Sequence, residues 1–138
     1  EEEEEDDEEE SGEGGMASLD TRCDIAVGRF KYACMRVHAR GSSYLAVRSG
    51  PGTYHADVAK PAIRHFESLG LRAEALGGGR IVRTDAPHKT VHVYGYSVGF
   101  GGDEGGPPGR GMRDHSEAAE LIRQALPEHD VTFSADGY

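Results

Sequence analysis

The chain has 138 residues, with 25 acidic and 15 basic side chains and a formal net charge of −10. This length supports one domain and leaves little room for a second. Residues 1–10 are all Asp or Glu and Glu13 is another acid, so the rest of the chain carries 14 acids against 15 basic residues. The folded part is therefore close to neutral, and its composition gives no reason to expect a nucleic-acid partner.

The acidic block predicts a disordered tail over residues 1–15, because like charges without apolar residues cannot offset the entropy cost of ordering. Residues 16–138 are then the domain. No apolar run approaches the ~18 residues of a membrane span, and no signal-peptide segment precedes the domain. Cys23 and Cys34 fit neither a disulfide framework nor a zinc site. We expect a cytoplasmic, monomeric protein that does not bind membranes.

Residues 30–38 alternate in a strand-like pattern, with Tyr32 and Cys34 on one face and Lys31 and Ala33 on the other. The same reasoning predicts further strands at 44–48, 90–96 and 130–133. Residues 73–76 and 80–84 flank three glycines, which indicates either a hairpin or one bent strand with a bulge.

Two amphipathic helices are predicted. Residues 54–69 place apolar side chains at helical spacing before Gly70, and the second helix begins at Asp114 or Ser116 and ends near residue 126. The apolar stripe of the first is Val58, Ala62, Phe66 and Leu69, and that of the second is Ala118, Leu121, Ile122 and Ala125.

The Gly/Pro-rich residues 101–111 are typical of a flexible loop inserted at the surface. Together, these elements predict the α+β class: a single domain whose central mixed β-sheet of about six strands is flanked by two helices.

His55 lies at the first turn of the predicted helix, where the positive end of the helix dipole disfavours imidazolium. A neutral imidazole can take a proton from water or attack phosphorus, although a histidine here can equally serve only as a cap. Residues Ser97, Val98 and Gly99 follow a strand, so a hydroxyl and two backbone N–H groups can hold an oxyanion there, or form a simple turn. Arg80 offers a bidentate guanidinium.

Four blocks carry a resemblance to a known family. They are Tyr54-His-Ala-Asp57, Leu76-Gly-Gly-Gly-Arg80, Tyr94-Gly-Tyr-Ser97 and Val131-Thr-Phe-Ser-Ala-Asp-Gly-Tyr138. In this order they resemble the phosphohistidine phosphatase family, which is related to insect janus and ocnus. The resemblance covers residues 28–138 and leaves out the acidic tail and the Gly/Pro-rich loop.

The resemblance implies roles for individual residues. His55 takes the catalytic position, and Ser97 and the Gly99 amide bind phosphate. Lys31 and Arg48 are implicated in substrate binding, although their positions alone are equally typical of charges on the protein surface. Tyr54 and His115 are expected to support the site from behind. His115 matches a family histidine only if residues 102–111 are an insertion.

The function implied is hydrolysis of the P–N bond of phosphohistidine on proteins, with phospholysine as a further substrate, without a metal or cofactor. His55 either activates water or accepts the phosphoryl group. A noncatalytic phosphoprotein-binding or regulatory module of the janus type is the alternative, and a tail that docks a basic partner is a third hypothesis. The sequence has no P-loop, Cys-x5-Arg loop or nucleophile elbow to suggest another chemistry.

Overall fold

The computed structural model describes residues 19–136, and the predicted acidic tail and the last two residues lie outside this range. The helices are α1 (Leu19–Arg22), α2 (Ala56–Ser68) and α3 (Ser116–Ala125), with a 3₁₀ turn at Val98–Phe100. The strands are β1 (Cys23–Asp24), β2 (Gly28–Ala39), β3 (Ser42–Gly50), β4 (Arg72–Thr84), β5 (Thr90–Tyr94) and β6 (Asp130–Phe133).

The six strands form one sheet in the order β1-β3-β2-β4-β5-β6. The two outer pairs, β1 with β3 and β5 with β6, are parallel, and the inner pairs are antiparallel. The predicted α+β class and the mixed six-stranded sheet are confirmed. The sequence pattern missed α1 and β1 because four- and two-residue elements have no measurable periodicity.

Each long helix covers one face of this sheet, as the alternation of β2 predicts. Ala33 packs with Val58 and Ala59 of α2, whereas Tyr32 and Cys34 belong to a cluster that includes Ile122 of α3. None of the helices within residues 19–136 has the length and apolar character to cross a membrane.

The predicted helix boundaries are close to the observed ones. The last residue of α2 is Ser68; Leu69 is its C-cap, and Gly70 follows with φ +81°. Leu69 was expected in the apolar stripe, but it is exposed because it lies beyond the last helical turn. At the start of α3 the N-cap position is His115, and the Asp114 carboxylate before it accepts hydrogen bonds from the amide and hydroxyl of Ser116, the first helical residue.

The three glycines lie inside a single strand, β4, and the bent-strand alternative is therefore confirmed. The register against β2 shifts between Cys34 and Met35, which marks a bulge on β4. The glycines permit a close approach of neighbouring chains: a Cβ on Gly79 would lie 2.2 Å from the carbonyl oxygen of Tyr94 and 3.0 Å from Cε1 of His115.

The Gly/Pro-rich loop at 101–111 is attached to the sheet rather than free at the surface. β5 pairs with β4 only from Arg80 onward, so the preceding edge of β4 is open to other partners. Pro108 is fully buried there, its carbonyl accepts a hydrogen bond from Gly78 N at 3.0 Å, and Gly111 N donates to Leu76 O at 2.9 Å. Residues 108–111 are therefore bonded to the glycine-lined edge of β4, with Pro108 and Gly109 buried and Arg110 and Gly111 exposed.

Gly79→Ala is expected to lower the free energy of unfolding by about 3 kcal/mol, because its methyl group meets backbone that cannot retreat without separating β4 from β5. Gly50→Ala in β3 is the matched control, since a Cβ there has nothing within 4 Å. We expect it to change stability by less than about 0.5 kcal/mol. Urea unfolding of both variants measures the difference, and equal midpoints would contradict this account of the glycine run.

Candidate active site

His55 occupies the N-cap position of α2, where the chain enters the helix from β3. Its Nε2 lies 2.9 Å from the carbonyl oxygen of Gly79 in β4. A carbonyl oxygen can only accept, so Nε2 carries the hydrogen and donates it. The lone pair of the neutral ring is therefore on Nδ1, which makes Nδ1 the basic and nucleophilic nitrogen.

The surroundings of His55 favour its neutral form. Burial lowers the pKa of the imidazole below its ordinary 6.5, and the positive charges of Lys31 and Arg80 lower it further, against an opposing effect of the Gly79 hydrogen bond. His55 is consequently unprotonated at neutral pH and available as a base.

Lys31 and Arg80 lie directly opposite each other on β2 and β4. Directly opposed residues of an antiparallel pair point to the same face, and here that face is the one covered by α2 and His55. The pair places two positive charges on the face that His55 occupies, which favours an anion there.

Ser97 supplies a buried hydroxyl at the edge of the same site. The residue is 1% exposed, and its Oγ has no hydrogen-bond partner among the described residues. The Ser97 carbonyl accepts from the amides of Phe100 and Gly102, which holds the 3₁₀ turn that follows. The first N–H groups of such a turn, those of Val98 and Gly99, have no acceptor within it. A hydroxyl and two amides are thereby grouped as donors.

One cavity of about 320 Å³ brings these groups together, except for Arg80, which is not among the residues that line it. Its lining includes His55, Lys31, Ser97, Val98 and Gly99, and the predicted supporting residue Tyr54. Tyr54 and Val98 are 70% and 71% exposed. They therefore form an apolar rim at the mouth of the cavity. Tyr54 was expected to support the site from behind, and it does not lie there.

Arg48 is not brought to this cavity. Its guanidinium donates to the carbonyl oxygens of Val47 at 3.0 Å and Thr21 at 2.5 Å, and lies 5.1 Å from the ring centre of Phe66. It lines a different cavity, of about 660 Å³, beside α2. The geometry therefore gives no support to a shared phosphate contact of Arg48 with Lys31.

His115, which the sequence predicts as a supporting residue, lies on the opposite face of the sheet from His55. It is 2% exposed; its Nδ1 accepts from the Tyr32 hydroxyl and its Nε2–H donates to Gly95 O at 2.9 Å. Burial lowers the pKa of His115, so the ring is neutral. The bond to Gly95 anchors the chain two residues before Ser97, which ties the oxyanion donors to α3.

Sequence reasoning missed Tyr32, Gly79 and Gly95 as parts of this arrangement. Two of them contribute only a carbonyl oxygen, and a carbonyl has no signal in a single sequence. Tyr32 stands beside Lys31 in the Phe-Lys-Tyr block, but its partner His115 is 83 residues away along the chain. The sequence did offer one indication: Tyr32 lies on a core-facing side of its strand, and a buried tyrosine hydroxyl needs a hydrogen-bond partner.

The two thiols do not provide an alternative nucleophile. Burial raises the pKa of Cys34 to about 12 and that of Cys23 to about 11, so both are protonated at neutral pH. Within residues 19–136, His, Cys, Asp and Glu side chains form no cluster of three or more that could hold a metal ion.

Comparison with known proteins agrees with the geometry. The Janus/Ocnus family model matches residues 20–130. The 14 kDa phosphohistidine phosphatase of Sus scrofa is 36% identical over 119 residues, which covers 80% of this chain and 86% of that protein. The human protein of the same name is 31% identical with the same coverage. Sex-regulated protein janus-A of Drosophila melanogaster is 35% identical over 113 residues, covering 80% of this chain and 76% of that protein. The chain belongs to the Janus/Ocnus family.

Proposed function

We propose that this protein is a phosphohistidine phosphatase that hydrolyses the P–N bond of phosphohistidine on proteins. The observation that carries the proposal is the neutral His55 in a cavity with Lys31 and the buried hydroxyl of Ser97, which has no partner among the described residues. The charge of Arg80 acts on His55 from beside this cavity. The names of the pig and human relatives support the same substrate class.

The phosphoryl group would be held by charge and by directed hydrogen bonds. Lys31 and Arg80 neutralise its oxygens. The Ser97 hydroxyl and the amides of Val98 and Gly99 donate from the other side. Donors that are already in place stabilise the charge of the transition state without reorganisation.

The bond to be broken makes modest demands on the enzyme, because a protonated imidazole is a good leaving group. In the first route, water attacks phosphorus in line while Nδ1 of His55 takes a proton from it. The P–N bond breaks, and the substrate imidazole, already protonated on its other nitrogen, leaves as a neutral ring with the electron pair of that bond. In the second route, Nδ1 of His55 forms a P–N bond to phosphorus as the P–N bond of the substrate breaks in the same way, and water later attacks the phosphoryl-His55, releasing phosphate and the neutral His55 ring. Both routes use the same nitrogen.

The same chemistry extends to phospholysine, whose P–N bond becomes labile once the amine is protonated. We also propose that hydrolysis proceeds without a metal ion, because Lys31 lines the cavity and Arg80 lies opposite it on the neighbouring strand, so protein cations are already at hand. Phosphate monoesters lack a basic leaving atom of this kind, and we expect them to be poor substrates.

The second candidate function is a noncatalytic phosphoprotein-binding module. The similarity to the janus-A proteins supports it, since their names state no activity. It requires the same oxyanion cavity but no base, so a variant of His55 separates the two functions.

His55→Ala is expected to reduce phosphate release from a phosphohistidine-containing protein by more than about 10²-fold, because the base or acceptor is lost. The assay contains EDTA, and parent activity should be undiminished. His65→Ala is the matched control: it changes another histidine of α2 that is exposed and does not line the site. Retained activity in His55→Ala would contradict the catalytic role, and an inactive parent that still binds phosphoprotein would favour the module.

Ser97→Ala is expected to lower kcat/KM about 10- to 100-fold, through the loss of one hydrogen bond to a charged group. The same variant should be as stable as the parent or more so, because the deleted hydroxyl has no partner among the described residues. Steady-state kinetics and urea unfolding check the two halves. A large loss of stability would mean that the hydroxyl is structural.

The pH dependence of kcat/KM should show an acid limb with its midpoint below the ordinary histidine value of 6.5, because the pKa of His55 is lowered. Activity is lost as pH falls through that pKa, since protonated Nδ1 is neither base nor nucleophile. Lys31→Met should move the limb to higher pH by removing a positive charge that depresses the pKa. Rates are corrected for enzyme-free hydrolysis, and a limb unmoved by Lys31→Met would contradict this coupling.

A further inference from the structure

A second cavity, of about 330 Å³, adjoins the His55 cavity across the 3₁₀ turn. Val98, Gly99 and Phe100 line both cavities, so the turn is a wall that they share. The far end of the second cavity is lined by Arg110, from the loop at 101–111. Arg110 is the only charged residue among those that line it; the others are glycines and apolar side chains.

The backbone of Arg110 is anchored to this wall. Its amide donates to the carbonyl oxygen of Phe100 at 2.9 Å. Its neighbours on both sides are fixed to β4, because Gly78 N donates to Pro108 O and Gly111 N donates to Leu76 O. The segment that presents the guanidinium is thus bonded to both the turn and the sheet.

The side-chain stem of Arg110 is positioned as well. It lies over Gly101, where a Cβ would come within 2.4 Å of Cγ and 2.8 Å of Nε of Arg110. Gly101 has φ +86°, a conformation that other residues rarely adopt. A glycine at this position therefore serves both the turn and the placement of the arginine.

The charge of Arg110 has no partner in the fold. The guanidinium makes no hydrogen bond or ion pair with the residues from 19 to 136, and this includes the two acids of its own loop, Asp103 and Glu104. By contrast, Arg83 is paired with Asp85 and Arg123 with Glu120. Within residues 19–136, a cation without a counter-ion therefore lies next to the proposed catalytic cavity.

We propose that Arg110 and the cavity beside it form a subsite for a carboxylate of the substrate protein, on an acidic residue that flanks the phosphohistidine. This inference rests on the proposed function and adds a sequence preference to it. A single guanidinium matches a single carboxylate, bidentately. A second phosphoryl group would call for more than one cation or side-chain hydroxyl, and Arg110 is the one charged or hydroxyl-bearing side chain among the residues that line this cavity.

The test measures binding, so that it does not depend on turnover. Two fluorescent peptides carry a nonhydrolysable phosphonate mimic of phosphohistidine, one flanked by glutamates and the other by glutamines. The parent, Arg110→Gln and Arg113→Gln are titrated with each peptide at low and high salt. Arg113 is the matched control, because it is highly exposed, lies in the same connection and does not line either cavity.

The parent and Arg113→Gln should bind the glutamate peptide about fivefold more tightly than the glutamine peptide, with the difference reduced at high salt. In Arg110→Gln the preference should vanish while affinity for the glutamine peptide is unchanged. Arg110→Glu, which keeps a long side chain over Gly101, should bind the glutamate peptide more weakly than the glutamine peptide.

Equal affinity of the parent for the two peptides, no binding of either, or a preference that survives in Arg110→Gln would overturn the subsite. Phosphate release from phosphohistidine is measured on the same preparations. A preference lost in Arg110→Gln, in a parent that releases no phosphate, would uphold the subsite and reject the phosphatase. Hydrolysis by a parent without a preference would do the reverse.

Discussion

The close approach of other groups to Gly79 is the constraint on which the site depends. On one face its carbonyl accepts from Nε2 of His55, and on the other its Cα leaves room for the His115 ring. Both histidines donate Nε2–H to a backbone carbonyl, and both are neutral because they are buried. A Cβ on Gly79 would lie 3.0 Å from Cε1 of His115, and a Cβ on the adjacent Gly78 would lie 3.3 Å from Cδ2 of His55. The glycine run therefore leaves room for one histidine on each face of the strand. This is why a run of three glycines is compatible with a central strand that glycine would otherwise weaken.

Positive charge is concentrated on one face of the site. Lys31 and Arg80 are opposed on adjacent strands, and both lower the pKa of His55. Under the proposed function the same charges would also attract the phosphoryl group, so a single arrangement would keep the base neutral and bind the substrate. The buried Ser97 hydroxyl follows the same logic, since a donor without a partner in the described fold costs stability that a bound oxyanion can return.

Local patterns in the sequence predicted the elements and most of the cavity, because alternation and helical spacing reveal which residues share a face. Alternation assigns Lys31 and Tyr32 to opposite faces of β2, and helical spacing locates α2 and α3 along the chain. Strand register has no such signal. Arg48 shares the face of Lys31, yet it pairs with Ala33, two residues farther along β2, and there it meets Phe66 rather than the phosphoryl position. The loop at 101–111 shows the same limit. Its composition predicts a flexible segment, but its bonds to the sheet depend on an open edge of β4, and that edge is defined by where the pairing with β5 begins.

The two faces of the sheet contribute different groups to the site, and this affects which residues can change without disturbing the others. The α2 face carries the groups that would touch a phosphoryl group, while the α3 face fixes the strand ends through Tyr32, His115 and Gly95. Arg110 belongs to neither face, since it is presented by a loop bonded to the free edge of β4. A change at that edge can alter which protein is recognised without moving His55 or the cations, because the shared wall of the 3₁₀ turn is held by its own bonds to Ser97. The proposed reaction and the proposed choice of substrate protein would then be able to vary independently.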